Sequence, residues 1–308
     1  MKKFLTKRPY LMFLLPGIIV YSVFVVYPIL SAGYISFFRW NGYGPKEFVG
    51  LQNYRELFTN VNMMSQLGNA LKNCLTIFLL SVMIMMPIQI IMAYIIHAKS
   101  RGSGFFQVAV FSPQFISTPV IVFIFTLLFD GSFGIVNKIL RETGLGNLAR
   151  PWMGIPEYGI YVVWFMMTWA GMGVGMVYFI GAMKMISHEI LESAYVDGAG
   201  FWKRLWYIVL PQIKGTIFNI VLTSYIISMT VFDFNYILGG SGGGISGSVD
   251  TLALMFYRTA FGENSPLGGK VSVNAMGMGT TIACVLFLMV FVVAIIQIIL
   301  MFRTKKED

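Results

Sequence analysis

The chain has 308 residues, of which 57% are apolar and 11% charged, with a formal net charge of +9 and a mean hydropathy of +0.75. Ordinary soluble domains carry about 25% charged residues. This composition excludes a soluble globular enzyme, a disordered chain and a secreted disulfide scaffold, and its size fits one domain with several spans.

Six apolar stretches follow one another at about 10–34, 70–98, 105–129, 158–183, 216–238 and 275–302. Each can cross a hydrocarbon core of about 30 Å at 1.5 Å per residue. They are too long and continuous for barrel strands. The expected fold class is therefore an all-α membrane protein with six transmembrane helices, in a single domain covering 1–308. The basic start MKKFLTKR looks like the first part of a signal peptide. The apolar run behind it is longer than such a peptide needs and five more spans follow, which predicts an uncleaved first helix. Pro16, Pro28, Pro87, Pro113 and Pro119 interrupt spans, as neighbouring helices or water can permit in a membrane.

Placing both termini inside puts Lys2, Lys3, Lys7, Arg8, Lys99, Arg101, Lys184, Lys203, Arg204, Lys214, Arg303, Lys305 and Lys306 on the cytoplasmic side. That is thirteen of the 22 Lys and Arg residues, on the shorter loops, as the positive-inside rule requires. The basic residues flank apolar segments and do not form one face. The charge therefore points to a lipid bilayer in a plasma membrane and not to nucleic acid. Cys74 and Cys284 lie inside apolar runs, and His97 and His188 at the ends of such runs. None of the four suggests a disulfide or a metal site.

In the fourth span, Gly171 and Gly175 form a small-xxx-small pair that lets another helix approach. The Gly-rich segment 238–250 is expected to be flexible, and it lacks the Lys-Ser or Lys-Thr of a phosphate loop. No nucleotide-binding, metalloprotease or nucleophile-elbow motif occurs anywhere. The chain is not expected to be an enzyme or to bind a cofactor itself, so active transport would draw its energy from a partner or an ion gradient.

The fifth span carries a polar stripe. At 100° per residue, Thr216, Asn219, Thr223 and Thr230 share about a 60° arc, and Asp233 borders it. The stripe suits either hydrogen bonding between helices or the wall of a path for a neutral polyhydroxyl solute. Tyr225 and Asn235 project from the same span, in a path or in a structural role. Asp233 is the only acid in a span and is expected near the outer interface, where a charge costs least. An ion-coupled carrier would have to depend on it. A membrane scaffold with no pathway would find the stripe dispensable.

Residues 184–215 form the largest cytoplasmic segment. Ser187 is placed to cap a short helix that runs to about Val196, with Glu189 near its positive end. Asp197-Gly198 reads as a turn. A second amphipathic stretch runs from Phe201 to Leu210, and Pro211 is expected to end it. In the first helix, Ile190, Leu191, Ala194 and Tyr195 share one face. So short a helix is marginal alone. Its small residues and acids fit a protein groove better than a lipid surface.

The stretch ESAYVDGAGFWKRLWYIVLP at 192–211 resembles the EAA loop of ABC importer permeases. Glu192, Ala194, Asp197, Gly198, Ala199, Ile208, Leu210 and Pro211 match; Ser193 replaces a usual Ala and Leu205 a usual Phe. FVGLQNYRELF (48–58), SPQFISTPVIVFIF (112–125), GIVNKIL (134–140) and VFDFNYILGG (231–240) resemble segments of the sugar-transporting branch. At the last of these the usual Thr and the Gly-Gly-Pro are missing. The resemblance implies a type I importer permease fold and one half of a transmembrane pair, often a heterodimer with a related permease. It also implies two cytoplasmic ATP-binding subunits, which carry the ATP and magnesium, and an extracellular solute-binding protein that delivers a sugar. The EAA loop would then couple the permease to the ATPase through Glu192, Ser193, Ala194, Asp197, Gly198, Ala199 and Pro211. Asn219, Thr223, Thr230, Asp233 and Asn235 are the candidates for the substrate path.

Overall fold

The computed structural model describes residues 10–98, 102–262 and 272–307. The side chains of 10–12, His188 and 302–307 are outside that description. Of the basic residues that set the expected orientation, Lys2, Lys3, Lys7, Arg8, Lys99 and Arg101, with the side chains of Arg303, Lys305 and Lys306, lie outside the described residues.

Among the described residues, five helical stretches are long and apolar enough to cross a membrane: Phe13–Ile35, Val61–His97, Pro156–Met183, Lys214–Gly239 and Ala275–Met301. A sixth candidate is the pair Ser103–Phe115 and Thr118–Leu128, bent by 101°. The span at 105–129, expected to be interrupted at Pro113 and Pro119, is in two pieces. Ile116 and Ser117 are extended, and Pro119 in the first turn of the second piece has no N–H to bond back to the Phe115 carbonyl, so the first piece is not continued through it. The second span begins at Val61, nine residues before the apolar run, because its polar first turns are helical too.

Three prolines leave their helices unbroken by one device. Pro28, Pro87 and Pro211 each come just after a five-residue π-turn: Ser22–Val26, Ser81–Met85 and Leu205–Val209. In each, the N–H before the proline reaches back five residues, to Ser22, Ser81 or Leu205. The wider turn takes up the missing proline N–H without a break. The expectation that Pro211 ends the second loop helix is corrected accordingly. The chain stays helical through Leu210–Gln212 and, after Ile213, into Lys214–Thr230.

The chain divides into two compact units. One comprises residues 1–65 and 256–287. In its first span no residue of the apolar window is buried. Beyond it, strands β1 (Phe38–Arg39) and β2 (Glu47–Phe48) pair antiparallel, with Phe38 opposite Phe48. Asn53, nearly fully buried, donates to the carbonyls of Ser36 (2.8 Å) and Phe38 (2.9 Å) and accepts from Asn274 Nδ2 at 2.8 Å. The Trp40 carbonyl accepts from the N–H groups of Met276 (3.0 Å) and Gly277 (3.1 Å). The strand pair and the head of the last span are thus one hydrogen-bonded body, built around the Asn of the FVGLQNYRELF segment. A Cβ on Gly277 would overlap the Phe38 carbonyl. Beside this body Tyr54 shares a 2.8 Å hydrogen bond with Ser36 Oγ. Burial raises the Tyr54 phenol above its ordinary pKa, against the opposing effect of that bond.

The other unit comprises residues 66–255 and 288–308. The second and fourth spans pack along each other. The approach expected at Gly171 and Gly175 is closest elsewhere: Gly173 lies against the backbone of Val110 and Phe111, with Val110 O 2.7 Å from where a Cβ would sit. Gly175 instead makes room for the Gln89 side chain, whose amide donates to the carbonyl of Met172 at 3.1 Å. The connection after Thr118–Leu128 closes around Asn137. This fully buried residue donates to the carbonyls of Asp130, Gly131 and Arg150 and accepts from Arg150 N–H and Trp152 Nε1. Gly134, three residues earlier, has no room for a side chain against Asp130. The GIVNKIL segment therefore carries a loop staple.

The segment 238–250 is not the flexible loop its glycines suggest. Val249 and Asp250 are buried, and Asn69 and Asn73 of the second span donate to the Gly247 carbonyl at 2.7 and 3.2 Å. Asn73 also reaches the Asp250 carbonyl at 3.0 Å. Glycine is needed here for positive φ and for close approach, as at Gly243, where a Cβ would meet Asp250.

Candidate functional site

The loop after the fourth span folds as two short helices on a shared core. Ser187 stands at the N-cap of the first, His188–Val196, but its side chain makes no capping bond. The helix end is better built. Gly198 N–H donates to Tyr195 O at 3.1 Å and Ala199 N–H to Ala194 O at 2.9 Å, with Gly198 left-handed at φ +73°. These are the two bonds of a Schellman C-cap. No heavy atom lies within 4 Å of where a Gly198 Cβ would stand. The glycine is thus required by backbone conformation and not by crowding.

The apolar face expected on this helix divides. Ala194 is buried and Leu191 packs on the core, whereas Ile190 and Tyr195 are exposed. Glu192, Ser193, Asp197 and Gly198 come together on the outer surface with Val196, which is 84% exposed. Ala199 is half-buried, and Pro211 sits apart on the helix that leads onward. Arg204 places its guanidinium 5.3 Å from the centre of the Tyr195 ring, joining the second helix to the first.

The second helix, Phe201–Arg204 and its π-turn, is held firmly. Leu205, Val209 and Ile213 are buried in one cluster with Ile90, Tyr94, Met176, Phe179, Ile180 and Met183. Phe201 packs on Tyr94 with ring centres 4.6 Å apart. Leu205, the departure from the usual Phe, is a core residue. The outer surface of the loop is therefore coupled by direct packing to the ends of the second and fourth spans.

In the fifth span, Asn219, Thr223 and Thr230 are exposed along one side. Thr223 and Thr230 hydroxyls bond back to the carbonyls of Asn219 and Ile226 at 2.9 and 2.7 Å. The stripe stops at Thr230, because the helix breaks: Val231 is extended and its carbonyl accepts from Thr251 Oγ1 at 2.9 Å. Asp233 and Asn235 belong to the next helix, Asp233–Gly239, so the 100° register does not reach them. Asp233 is exposed. Asn235 is fully buried and donates to Val249 O at 2.7 Å. Tyr225 packs edge-on against Phe78 and donates to Met289 O at 3.5 Å.

Among the described residues of this unit, four buried polar atoms have no hydrogen-bond partner: Trp164 Nε1, Thr168 Oγ1, Arg204 Nε and Asn235 Oδ1. Such groups are rare in an apolar interior. Trp164 and Thr168 were not anticipated. Their i, i+4 spacing in an apolar span was a readable signal, but only burial distinguishes them from residues facing outward.

The chain matches the family model "Binding-protein-dependent transport system inner membrane component" over residues 66–306. It is 31% identical over 303 residues to the probable ABC transporter permease protein YurN of Bacillus subtilis, covering 97% of each chain. It is also 31% identical over 303 residues to the arabinooligosaccharides transport system permease protein AraP of the same organism, covering 97% of this chain and 90% of AraP. Its fold is similar to that of a chain in the crystal structure of a bacterial alginate ABC transporter in complex with alginate pentasaccharide-bound periplasmic protein. There the TM-score is 0.78 and the identity 21%, with 96% of this chain and 95% of that one covered. With two thirds and more of the chain matched, this multi-pass membrane protein belongs to the family of binding-protein-dependent transport system inner membrane components.

Proposed function

We propose that the chain is one permease subunit of an ATP-driven importer for a sugar or oligosaccharide. It has six spans, both termini in the cytoplasm, and a cytoplasmic loop that docks a partner ATPase. A second, related permease subunit completes the path. Two ATP-binding subunits hold the nucleotide and magnesium, and an extracellular solute-binding protein delivers the sugar. The carrying observation is the build of the loop. Glu192, Ser193, Asp197 and Gly198 are presented on or at the end of a capped helix that packs through Leu191 on the cluster in which Leu205, Val209 and Ile213, from the chain that follows, meet the spans. A groove that grips the helix and moves would pull on the second and fourth spans directly, because the core between them is close-packed.

The sugar assignment draws on the AraP name and on chemistry. The exposed Asn219, Thr223 and Thr230 side is uncharged and hydroxyl-bearing, and Trp164 and Thr168 offer buried polar atoms not used by the protein. Hydroxyl-rich cargo suits such groups. An ion-coupled carrier would need an acid held at membrane depth, whereas Asp233 is exposed at the head of a short helix beyond the break. The test is ATP hydrolysis by the complex in nanodiscs, with and without binding protein and sugar. Stimulation by sugar-loaded binding protein is expected, and the stimulating sugar names the cargo. Failure of active ATPase subunits to associate with this chain would refute the reading.

A further inference from the structure

The second helix of the 184–213 loop has two unlike sides. Its inner side, Phe201, Leu205, Val209 and Ile213, packs on the last turns of the second and fourth spans. Tyr94 lies within one turn of the end of the second span at His97, and Met183 is the last residue of the fourth. Ile90 and Met176 of the same cluster lie two turns inside those ends. The helix therefore begins at the level where the spans leave the bilayer and runs inward beside them.

Its outer side carries Trp202, Trp206 and Tyr207, exposed to 57%, 62% and 81%. At that depth, the surroundings of an exposed side chain are those of the spans themselves: the boundary of headgroups and acyl chains. Trp and Tyr concentrate at this boundary, where one end of the ring system is apolar and the other polar. The charges agree. Residues 201–232 contain Lys203, Arg204 and Lys214 and no acid, and Lys203 and Lys214 are exposed. By contrast the first helix, 188–196, carries Glu189 and Glu192 and no Lys or Arg. The two halves of the loop thus present opposite chemistries.

The geometry points to a bilayer anchor: Trp202, Trp206 and Tyr207 sit in the headgroup layer of the cytoplasmic leaflet, with Lys203 against anionic phospholipid. Only the first helix is then left for the ATPase, and the second acts as a hinge arm resting on lipid. Basic side chains near an anionic surface contribute favourably to such binding. The anchor depends on the membrane-spanning fold and not on the identity of the cargo.

The experiment uses the complete complex with its ATPase subunits, in nanodiscs of phosphatidylcholine and phosphatidylglycerol. The lipids carry bromines either just below the glycerol or near the chain ends. Wild type is compared with a variant carrying Trp202→Phe and Trp206→Phe. Shallow bromines should quench the wild-type fluorescence more than the variant's, and chain-end bromines should show a smaller difference. Equal quenching of the two proteins by shallow bromines would overturn the anchor. So would a difference that emerges only after the ATPase subunits are stripped, since the rings would then be buried in protein. A nitroxide at Tyr207→Cys gives an independent reading if the double variant fails to assemble. It should collide preferentially with oxygen over a water-soluble nickel chelate, several-fold more so than a label at Val196→Cys. Equal accessibility at the two positions would refute the anchor.

Discussion

Gly198 allows a sharp test of the coupling loop, because its role separates conformation from crowding. A side chain there would find open space, with no heavy atom within 4 Å of a Cβ. What it would meet is the left-handed backbone, φ +73°, which costs an L-residue roughly 1–2 kcal/mol. That corresponds to a shift of about five- to thirty-fold in favour of states in which the helix end has opened. Opening releases the bonds from Gly198 N–H to Tyr195 and from Ala199 N–H to Ala194. It also loosens the surface that carries Glu192 and Asp197. Asn visits the left-handed region far more readily than Ala, and β-branched Val least of all. Sugar-stimulated ATP hydrolysis by the reconstituted complex should therefore fall in the order Gly, Asn, Ala, Val, while membrane insertion stays constant. Gly198→Val should lose most of the stimulation and Gly198→Asn should keep most of it. A Gly198→Val complex with normal stimulated hydrolysis would refute the coupling role. Asn and Val behaving alike would refute the backbone explanation.

Asn137→Ala should orphan several buried loop groups at about 1–3 kcal/mol, and lower the melting midpoint of the detergent-solubilised protein; an unchanged midpoint would contradict the staple. Thr168→Val removes a buried hydroxyl that has no protein partner, so stability should hold or rise while uptake of labelled sugar falls, and unaltered uptake would remove Thr168 from the path. Normal transport in Asn219→Leu and Thr223→Leu variants would reduce the fifth-span stripe to packing. For Tyr54, the raised phenol pKa means that its protonated form favours the fold. This stability is present below the unfolded value of about 10 and is lost as pH rises through the folded value. Above that range the wild type should lose more stability than Tyr54→Phe, and parallel melting curves would refute the assignment.

The spans, their approximate number and the two-part loop at 184–215 were legible because each rests on local chemistry. Apolar length and an Asp-Gly turn need no knowledge of distant residues. Prolines were legible as positions and not as outcomes. Pro211 was expected to stop a helix that a π-turn carries through, whereas the interruption expected at Pro113 and Pro119 is a 101° bend. A proline states only that a bond is missing. Whether the chain widens its turn or breaks depends on what can satisfy the freed carbonyl. The Gly-rich segment 238–250 misled for the same reason, since its order comes from Asn69 and Asn73, more than 170 residues away.

What the sequence alone determined was the solvent of this protein, its helical class and the loop that presents Glu192, Ser193, Asp197 and Gly198. These follow from composition and from interactions within a few residues. Only the tertiary structure decided that Asn235 is held in the interior by Val249 while Asp233 stays exposed beyond a helix break. Only it brought Trp164 and Thr168 forward, because an unsatisfied polar atom is defined by its surroundings and not by its identity. It also decided which side of the second loop helix packs on the spans and which side stays exposed. Burial is a property of the whole chain, and a single helical stretch carries no record of what its neighbours will cover.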